Sequence, residues 1–359
     1  MIQNPDTQTG SCCRSIIRYI LNKELKRGDK LPSQEELRRE LDFSHNSMTP
    51  AMNLLVESGM LERKRRLGTV VVDTDAVPAG LWRIGLAFGV LDSTPECKFE
   101  TILSRYVQEK IQRAHCHARY YILNYDKIGQ VPHGLSDFGL LESDVESGRL
   151  DAILSMAFFD SESSTILNSY NTPMCNIVGS EYTPFRVELD TRDFVERSIK
   201  ILKEKCCRRI AIVMDCEFLA NIADYIRSNI IPQPEYSNLK INFIDGSGEK
   251  ERARKAADAV MSIPAKERPD GLIILNDVLA LAMTSIISNT SYTPSIVVQC
   301  NKQIPLYYPM HVTKLEFDME KLAEISVGIV INKIKYPELV VDVTKIKAEE
   351  PEDAAVLVI

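Results

Sequence analysis

The sequence is short of several things. No uninterrupted apolar run approaches the roughly 18 residues a helix needs to span a bilayer. Met1 to Ile20 lack the basic start, apolar core and small-residue cleavage site of a secretory leader. There is no Gly-x-Gly-x-x-Gly, no Walker loop and no Gly-x-Ser-x-Gly elbow. The usual signatures of dinucleotide, nucleotide and α/β-hydrolase chemistry are therefore absent, and no catalytic residue is assigned. The nine cysteines are odd in number, Cys12-Cys13 and Cys206-Cys207 are adjacent, and no Cys-x-x-Cys occurs. Zinc and redox spacings are thus missing, and reduced thiols in a cytoplasmic protein are expected. His115-Cys116-His117 is the one metal-like cluster, but side chains two apart on a helix diverge. Neither metal nor cofactor is expected.

What is present is 359 residues, enough for two or three domains. Charge is uneven. Residues 1–75 hold twelve Lys/Arg and eleven Asp/Glu, net +1, against −8 for the remainder. The densest basic run, Arg63-Lys64-Arg65-Arg66, lies in that first segment.

The first 75 residues have the periodicity of three helices and a hairpin. Ile16, Ile17, Ile20, Leu21 and Leu25 recur at helical spacing, and Gly28 ends that helix. Ser33 and Glu36 form a capping box for a short second helix carrying Leu37 and Leu41. Ser44 can cap a third, with Met48, Ala51, Met52 and Leu55 on its apolar face. His45, Asn46, Thr49 and Asn53 make a separate polar face. Leu61–Lys64 and Thr69–Val72 read as two short strands turning at Arg65–Gly68. The pattern is an α+β winged helix-turn-helix. Its third helix would read base edges through His45, Asn46, Thr49 and Asn53, and Arg63, Lys64, Arg65 and Arg66 would touch phosphates.

Gly28, Leu31-Pro32-Ser33, Leu37, Leu41, Ser44, Ala51, Leu54…Gly59-Met60-Leu61 and Gly68-Thr69 give Lys26–Val72 a specific resemblance to the DNA-binding head of the GntR family of bacterial regulators. The resemblance implies that Ser33, Ser44 and Gly68 join the DNA-contacting set. Four positions depart from the family pattern. Glu35 stands where an arginine is usual and would repel a phosphate, and His45 likewise replaces an arginine. The wing tip reads Arg66-Leu67-Gly68 rather than Gly-basic-Gly. Pro50 falls inside the third helix, which must then bend, or start late near Asn46 or Thr49.

From Arg83 onward, strand and helix alternate. Expected strands are Ile84–Phe88, Ala118–Leu123, Ala152–Met156, Met174–Val178, Val187–Leu189, Arg209–Met214, Ile241–Ile244, Gly271–Leu275 and Ile296–Cys300. Helical patterns separate most of them, and Met319–Ile334 is the last long one. Repeated βα units imply parallel sheets covered on both faces. With so many strands in view, two hinged lobes fit better than one sheet. Leu150–Leu154, Asn171-Thr172-Pro173, Val187–Asp190, Arg208–Ile212, Pro269-Asp270-Gly271 and Leu275-Asn276-Asp277 resemble the LacI/GalR-type effector body, which is related to periplasmic binding proteins. The order of modules resembles arabinose-repressor-like regulators and implies a homodimer on a two-fold DNA operator. The expected division is residues 1–75 as head, 76–82 as linker and 83–359 as a two-lobed effector and dimerisation body.

Ligands of such folds sit at the carboxyl ends of strands. Loops there offer Asp92, Phe158, Phe159, Tyr182, Asp190, Asp277 and Asn301 as a sugar-binding set. Asp190 and Asp277 have helix capping as a competing role, and the two phenylalanines have packing. Sugar-responsive relatives usually place an aspartate at Asn301 and an arginine early in the helix after Met214, where none stands before Arg227. Gly246-Ser247-Gly248-Glu249 reads as a plain turn. The expected function is a bacterial, cytoplasmic transcription regulator, a repressor, governed by a sugar-like effector. The alternative is a ligand-binding or protein-interaction module with weakened DNA binding.

Overall fold

The computed structural model describes residues 7–89, 98–128, 130–178, 185–216, 219–247 and 250–351. Contacts divide the chain into two units. The first is Met1–Val90, Ser104–Val187 and Ala323–Thr344; the second is Leu91–Leu103, Glu188–Leu322 and Lys345–Ile359. The head therefore shares a compact unit with the first α/β lobe.

The head consists of α1 (Gln8–Asn22), α2 (Gln34–Glu40), α3 (His45–Glu57) and the antiparallel hairpin β1 (Leu61–Lys64) and β2 (Gly68–Val71). Helix α1 starts a full two turns before the expected Ile16. Cys12 and Cys13 are fully buried and extend the apolar face of Ile16, Ile17 and Ile20 toward the N-terminus. That face packs on α3: Cys12 Sγ lies 3.9 Å from Met48 Sδ, and Cys13 Sγ 3.6 Å from the Ala51 carbonyl. The capping box forms as its spacing requires. Glu36 N–H donates to Ser33 Oγ at 3.3 Å, and Ser33 N–H to Glu36 Oε2 at 2.7 Å. Ser44 caps α3 by accepting from Ser47 N–H at 3.2 Å.

Helix α3 thus begins at its serine cap and runs through Pro50, so it does not start late. Proline has no N–H to give the Asn46 carbonyl one turn back. Asn46 and Pro50 are both exposed, so water can serve that carbonyl. The wing turn puts Arg66 at φ 67° and Gly68 at φ 103°. Arg66 holds the left-handed conformation that glycine adopts without strain, which is the local cost of the Arg-Leu-Gly tip.

The first lobe is built from β3 (Arg83–Phe88), α4 (Lys98–Arg113), β4 (His117–Ile122), α5 (Leu141–Glu146), β5 (Ala152–Ser155), α6 (Ser161–Ser169), β6 (Met174–Ile177) and β7 (Phe185–Leu189). The second lobe follows with α7 (Thr191–Glu204), β8 (Arg209–Met214), α8 (Ala220–Tyr225), β9 (Lys240–Asp245), α9 (Lys250–Ser262), β10 (Gly271–Ile274), α10 (Asp277–Ile287), β11 (Ser295–Asn301) and β12 (Thr313–Phe317). Helix α11 (Met319–Lys335) and β13 (Thr344–Ile346) complete the chain. Strands β12 and β13 are additions to the sequence expectation.

The sheets have the orders β13-β7-β6-β5-β3-β4 and β12-β11-β10-β8-β9. In both, the lobe's first strand lies between its second and third, and the pairs β3/β4, β3/β5, β8/β9 and β8/β10 are all parallel. This reversal of winding direction is a switch point, and it opens a crevice at the carboxyl ends of the flanking strands. Strands β3, β5 and β6 are buried along their whole length, as parallel strands covered on both faces must be. In the second lobe Ala211, Val213, Leu272, Ile274 and Val298 pack against Ala253, Ala256, Ala257, Leu279 and Met283 of the helices. Gly246 serves that packing: a Cβ there would lie 2.9 Å from Ala256 Cβ. The expected plain turn thus has a steric reason at its first residue.

Candidate nucleic-acid interface and effector site

On the head, Arg63, Lys64, Arg65 and Arg66 are all exposed along the hairpin and its tip. Arg63 Nη2 donates to Asn53 Oδ1 at 2.7 Å, joining the wing to α3. Lys64 Nζ sits 3.5 Å from Glu62. His45, Asn46 and Asn53 are exposed on α3, while Thr49 is half-buried with its hydroxyl accepting from Gln34 Nε2 at 2.7 Å. Ser33 and Ser44 use their hydroxyls as caps.

Glu35 does not stand as a free negative charge. Arg38 Nε and Nη2 donate to its carboxylate at 3.0 and 2.7 Å, and Arg39 lies 3.6 Å away. The Arg38 hydrogen bonds hold the Glu35 carboxyl below its ordinary pKa. The Glu35 charge is thus matched by arginines of its own helix. Between α2 and the wing runs an open groove of about 890 Å³, lined by Lys23, Lys30, Ser33, Gln34, Arg66 and Gly68 among others. Lys30 and Gln34 were missed by the sequence reading. Their signal was available only through pairing, since Lys30 bridges to Val70 of the wing.

At the carboxyl ends of the second lobe's strands, Asp277 and Asn301 meet. Asn301 Nδ2 donates to Asp277 Oδ2 at 2.9 Å, and Val278 N–H donates to Asp277 Oδ1 at 2.9 Å. The two residues are only 5% and 8% exposed, and Asn301 Oδ1 has no hydrogen-bond partner among the described residues. Burial pushes the Asp277 carboxyl above its ordinary pKa, against the hydrogen bonds that lower it. The cap of α10 is Asn276, whose Oδ1 accepts from Leu279 N–H at 2.8 Å, so Asp277 is not that cap. Beside them at the same edge, Arg252 of α9 donates to Asp215 at 2.9 Å and to both oxygens of Asp245 at 3.0 and 3.1 Å. An arginine thus does reach the loop after β8, from α9 rather than from the helix that follows Met214.

Asp190 caps α7, accepting from Asp193 N–H at 3.2 Å, and is half-buried. In the first lobe, Phe158 is half-buried and Phe159 is not. Phe159 is 0% exposed and packs 5.3 Å from Phe138, centroid to centroid. A ring with no open face cannot stack on a ligand, so Phe159 is a core residue and leaves the ligand set. Asp92 and Tyr182 lie outside the described residues. No group of three or more His, Cys, Asp or Glu that could hold a metal occurs among the described residues, and no helix there is long and apolar enough to cross a membrane.

Residues 12–71 match the family described as bacterial regulatory proteins, gntR family. The body matches solved LacI-type regulators in fold. One is the lac repressor dimer bound to operator and the anti-inducer ONPF, at 13% identity and TM-score 0.57 over 75% of this chain and 92% of that one. Another is a LacI family regulator from Bifidobacterium animalis subsp. lactis, at 18% and 0.60 over 75% and 96%. A third, from Arthrobacter sp. FB24, is in complex with lactose, at 14% and 0.58 over 75% and 97%. The chain thus joins a segment that matches the gntR family to a body with the fold of LacI-type regulators.

Proposed function

We propose that this GntR/LacI-type regulator is a cytoplasmic repressor that binds a two-fold DNA operator as a homodimer and releases it when a sugar-like effector binds. The observation that carries the DNA half is the exposed cationic wing, tied by Arg63–Asn53 to an exposed polar face of a helix in the gntR-matching segment. The groove with Lys23, Lys30 and Arg66 adds charge for phosphates. Ion pairing of Glu35 weakens one of the three grounds, beside His45 and Pro50, for a protein-recruiting head.

The effector half is supported by the Asp277–Asn301 pair. A buried carboxylate beside a desolvated, unpartnered amide oxygen is an acceptor pair to which the hydroxyl groups of a sugar could donate. Arg252 is already matched by two carboxylates, so this edge does not favour a strongly anionic ligand. The homodimer is supported by β4, the edge strand of the first lobe's sheet, where Tyr120 and Ile122 are exposed and Tyr125 follows at 90% exposure. An uncovered apolar edge of this kind favours burial against a second copy.

A thermal-shift screen of neutral sugars, polyols and sugar phosphates tests the effector half. A true effector at 100 times its Kd raises stability by about 2.7 kcal/mol. The expected hit is a neutral polyhydroxy compound; a response confined to phosphorylated sugars contradicts the acceptor-lined site.

A further inference from the structure

The two lobes carry the same device at the amino ends of their sheets. Asp151 immediately precedes β5, and Asp270 immediately precedes β10. Each accepts a backbone N–H from the start of its lobe's first strand, Arg83 N–H at 3.0 Å and Arg209 N–H at 2.8 Å. Each also pairs with the side chain of that arginine, Arg83 Nε at 3.1 Å and Arg209 Nη2 at 3.0 Å. One carboxylate and one arginine are what the fold itself uses.

Asp151 has two more arginines, and both come from the head. Arg14 Nε lies 3.5 Å and Arg18 Nη2 3.4 Å from Asp151 Oδ1. The two are one helical turn apart on α1, so they share a face. Arg14 is 8% exposed at its side chain, and its Nη1 also donates to the Leu81 carbonyl at 3.4 Å. The Asp151 side chain is 2% exposed, against 33% for Asp270. The segment between head and lobe is held as well. Lys335 Nζ donates to Asp75 at 2.6 Å, Gly80 N–H donates to the His115 carbonyl at 2.6 Å, and Pro78 is buried.

We propose that Arg14, Arg18 and Asp151 form a latch that fixes the head on the first lobe in a DNA-competent pose, with Asp151 as its positioning residue. The pose is DNA-competent because His45, Asn46, Asn53 and the wing remain exposed while the latch is closed. Once the carboxylate is lost, Arg14 is a buried cation without its charge partner, and the docked head is no longer favoured. At its other end β5 leads, four residues on, into Met156–Phe158 at the carboxyl edge, so a single buried strand joins the latch to the edge where ligands of this fold sit. The positional consequence rests on the DNA-binding reading; the docking does not.

The test uses the full chain and two readouts. Limited proteolysis reports release of the head through cleavage between residues 73 and 80. Arg14→Gln/Arg18→Gln is expected to speed that cleavage by about tenfold or more, as a local opening no longer opposed by a buried ion pair. Arg14→Lys/Arg18→Lys keeps the charge and should restore most of the protection. Asp151→Asn, which retains an acceptor for Arg83 N–H, should match the glutamine variant. The second readout is binding to paired half-sites whose spacing is changed by 2 to 5 base pairs, about a quarter to half a helical turn. The latched protein should discriminate sharply among spacings and the glutamine variant should lose that discrimination, with binding to random duplex unchanged. Cleavage unchanged in the glutamine variant overturns the latch, whether or not DNA is bound. Faster cleavage with spacing preference intact overturns its positioning role. Failure of the unmodified chain to bind any duplex refutes the DNA-binding reading, and with it the positioning role, and leaves the proteolysis result to decide docking.

Discussion

The polar groups of the head and those of the second lobe's edge are arranged in opposite ways. On the head, Arg63, Lys64, Arg65 and Arg66 stand in solvent, engaged at most by one neutral amide and one exposed glutamate. At the second lobe's edge, Asp277 and Asn301 are buried against each other before any ligand arrives. The difference follows from the partner each would serve. A polyanion acts at a distance through counterion release and needs charge at the surface. A small polar ligand is recognised by groups already desolvated and aimed, at a standing cost in stability. The head should therefore respond mainly to salt, and the buried pair mainly to pH and ligand.

The largest expected effect is on the head. Replacing Arg63, Lys64, Arg65 and Arg66 by alanine should weaken binding to every duplex alike, by about 100-fold or more. It should also reduce the slope of log K against log salt by roughly 0.9 per lost phosphate contact. Anisotropy titrations with random DNA at several salt concentrations measure both. Unchanged binding would break the comparison at its strongest point.

Next comes the helix between the two strips of contacts. Pro50→Ala restores a donor for the Asn46 carbonyl and should stabilise α3 by about 1–3 kcal/mol, read as slower amide exchange along that helix in the intact protein. Exchange at the same rate would mean that the proline is accommodated without cost.

Base reading is sharper and of similar size. Asn46→Ala should cost about 1–3 kcal/mol on a selected operator and nothing on random duplex. Asn53 should matter less as a base reader, because its carbonyl already accepts from Arg63. Equal losses for the two substitutions on specific DNA would contradict that ranking.

The smallest effect, and the one that reverses sign, concerns Asp277. Burial raises its folded pKa above that of the unfolded chain, so the folded state keeps the proton longer. Its contribution to stability is then fullest below the unfolded pKa and is lost as pH rises through the folded pKa. Asp277→Asn should remove that loss, making the variant more stable relative to the parent at neutral pH than at low pH, while abolishing the ligand response. Denaturation curves at several pH values decide the matter. A parent–variant difference independent of pH would show that Asp277 does not carry a desolvated charge.

Most of the head was legible in the sequence, because its signals are local. Ser33 and Glu36 lie three apart, Ser44 stands directly before its helix, and Arg63–Arg66 are contiguous. The start of α1 was not legible, since buried Cys12 and Cys13 do not look like a helix face until Met48 and Ala51 are placed against them. Strands β12 and β13 are short and half polar, and pairing makes them strands. The effector edge was legible as a set of loops but not as contacts. Asp277 and Asn301 meet across 24 residues, and Arg252 comes to Asp215 from 37 residues away on a helix chosen by the sheet order. Phe159 stood between stacking and packing for the same reason: a phenylalanine in a loop gives no sign of which way it turns until Phe138 is beside it. The contacts on Asp151 lay furthest out of reach, because Arg14 and Arg18 are more than 130 residues from it in sequence.

The most direct test of one chain coupling DNA to a small molecule is the operator affinity of the full-length protein with and without the best ligand from the thermal-shift screen. The account predicts that saturating ligand weakens operator binding by about 5–150-fold, and that operator DNA weakens ligand binding by the same factor, as linkage requires. An operator affinity that stays the same at saturating ligand would contradict it.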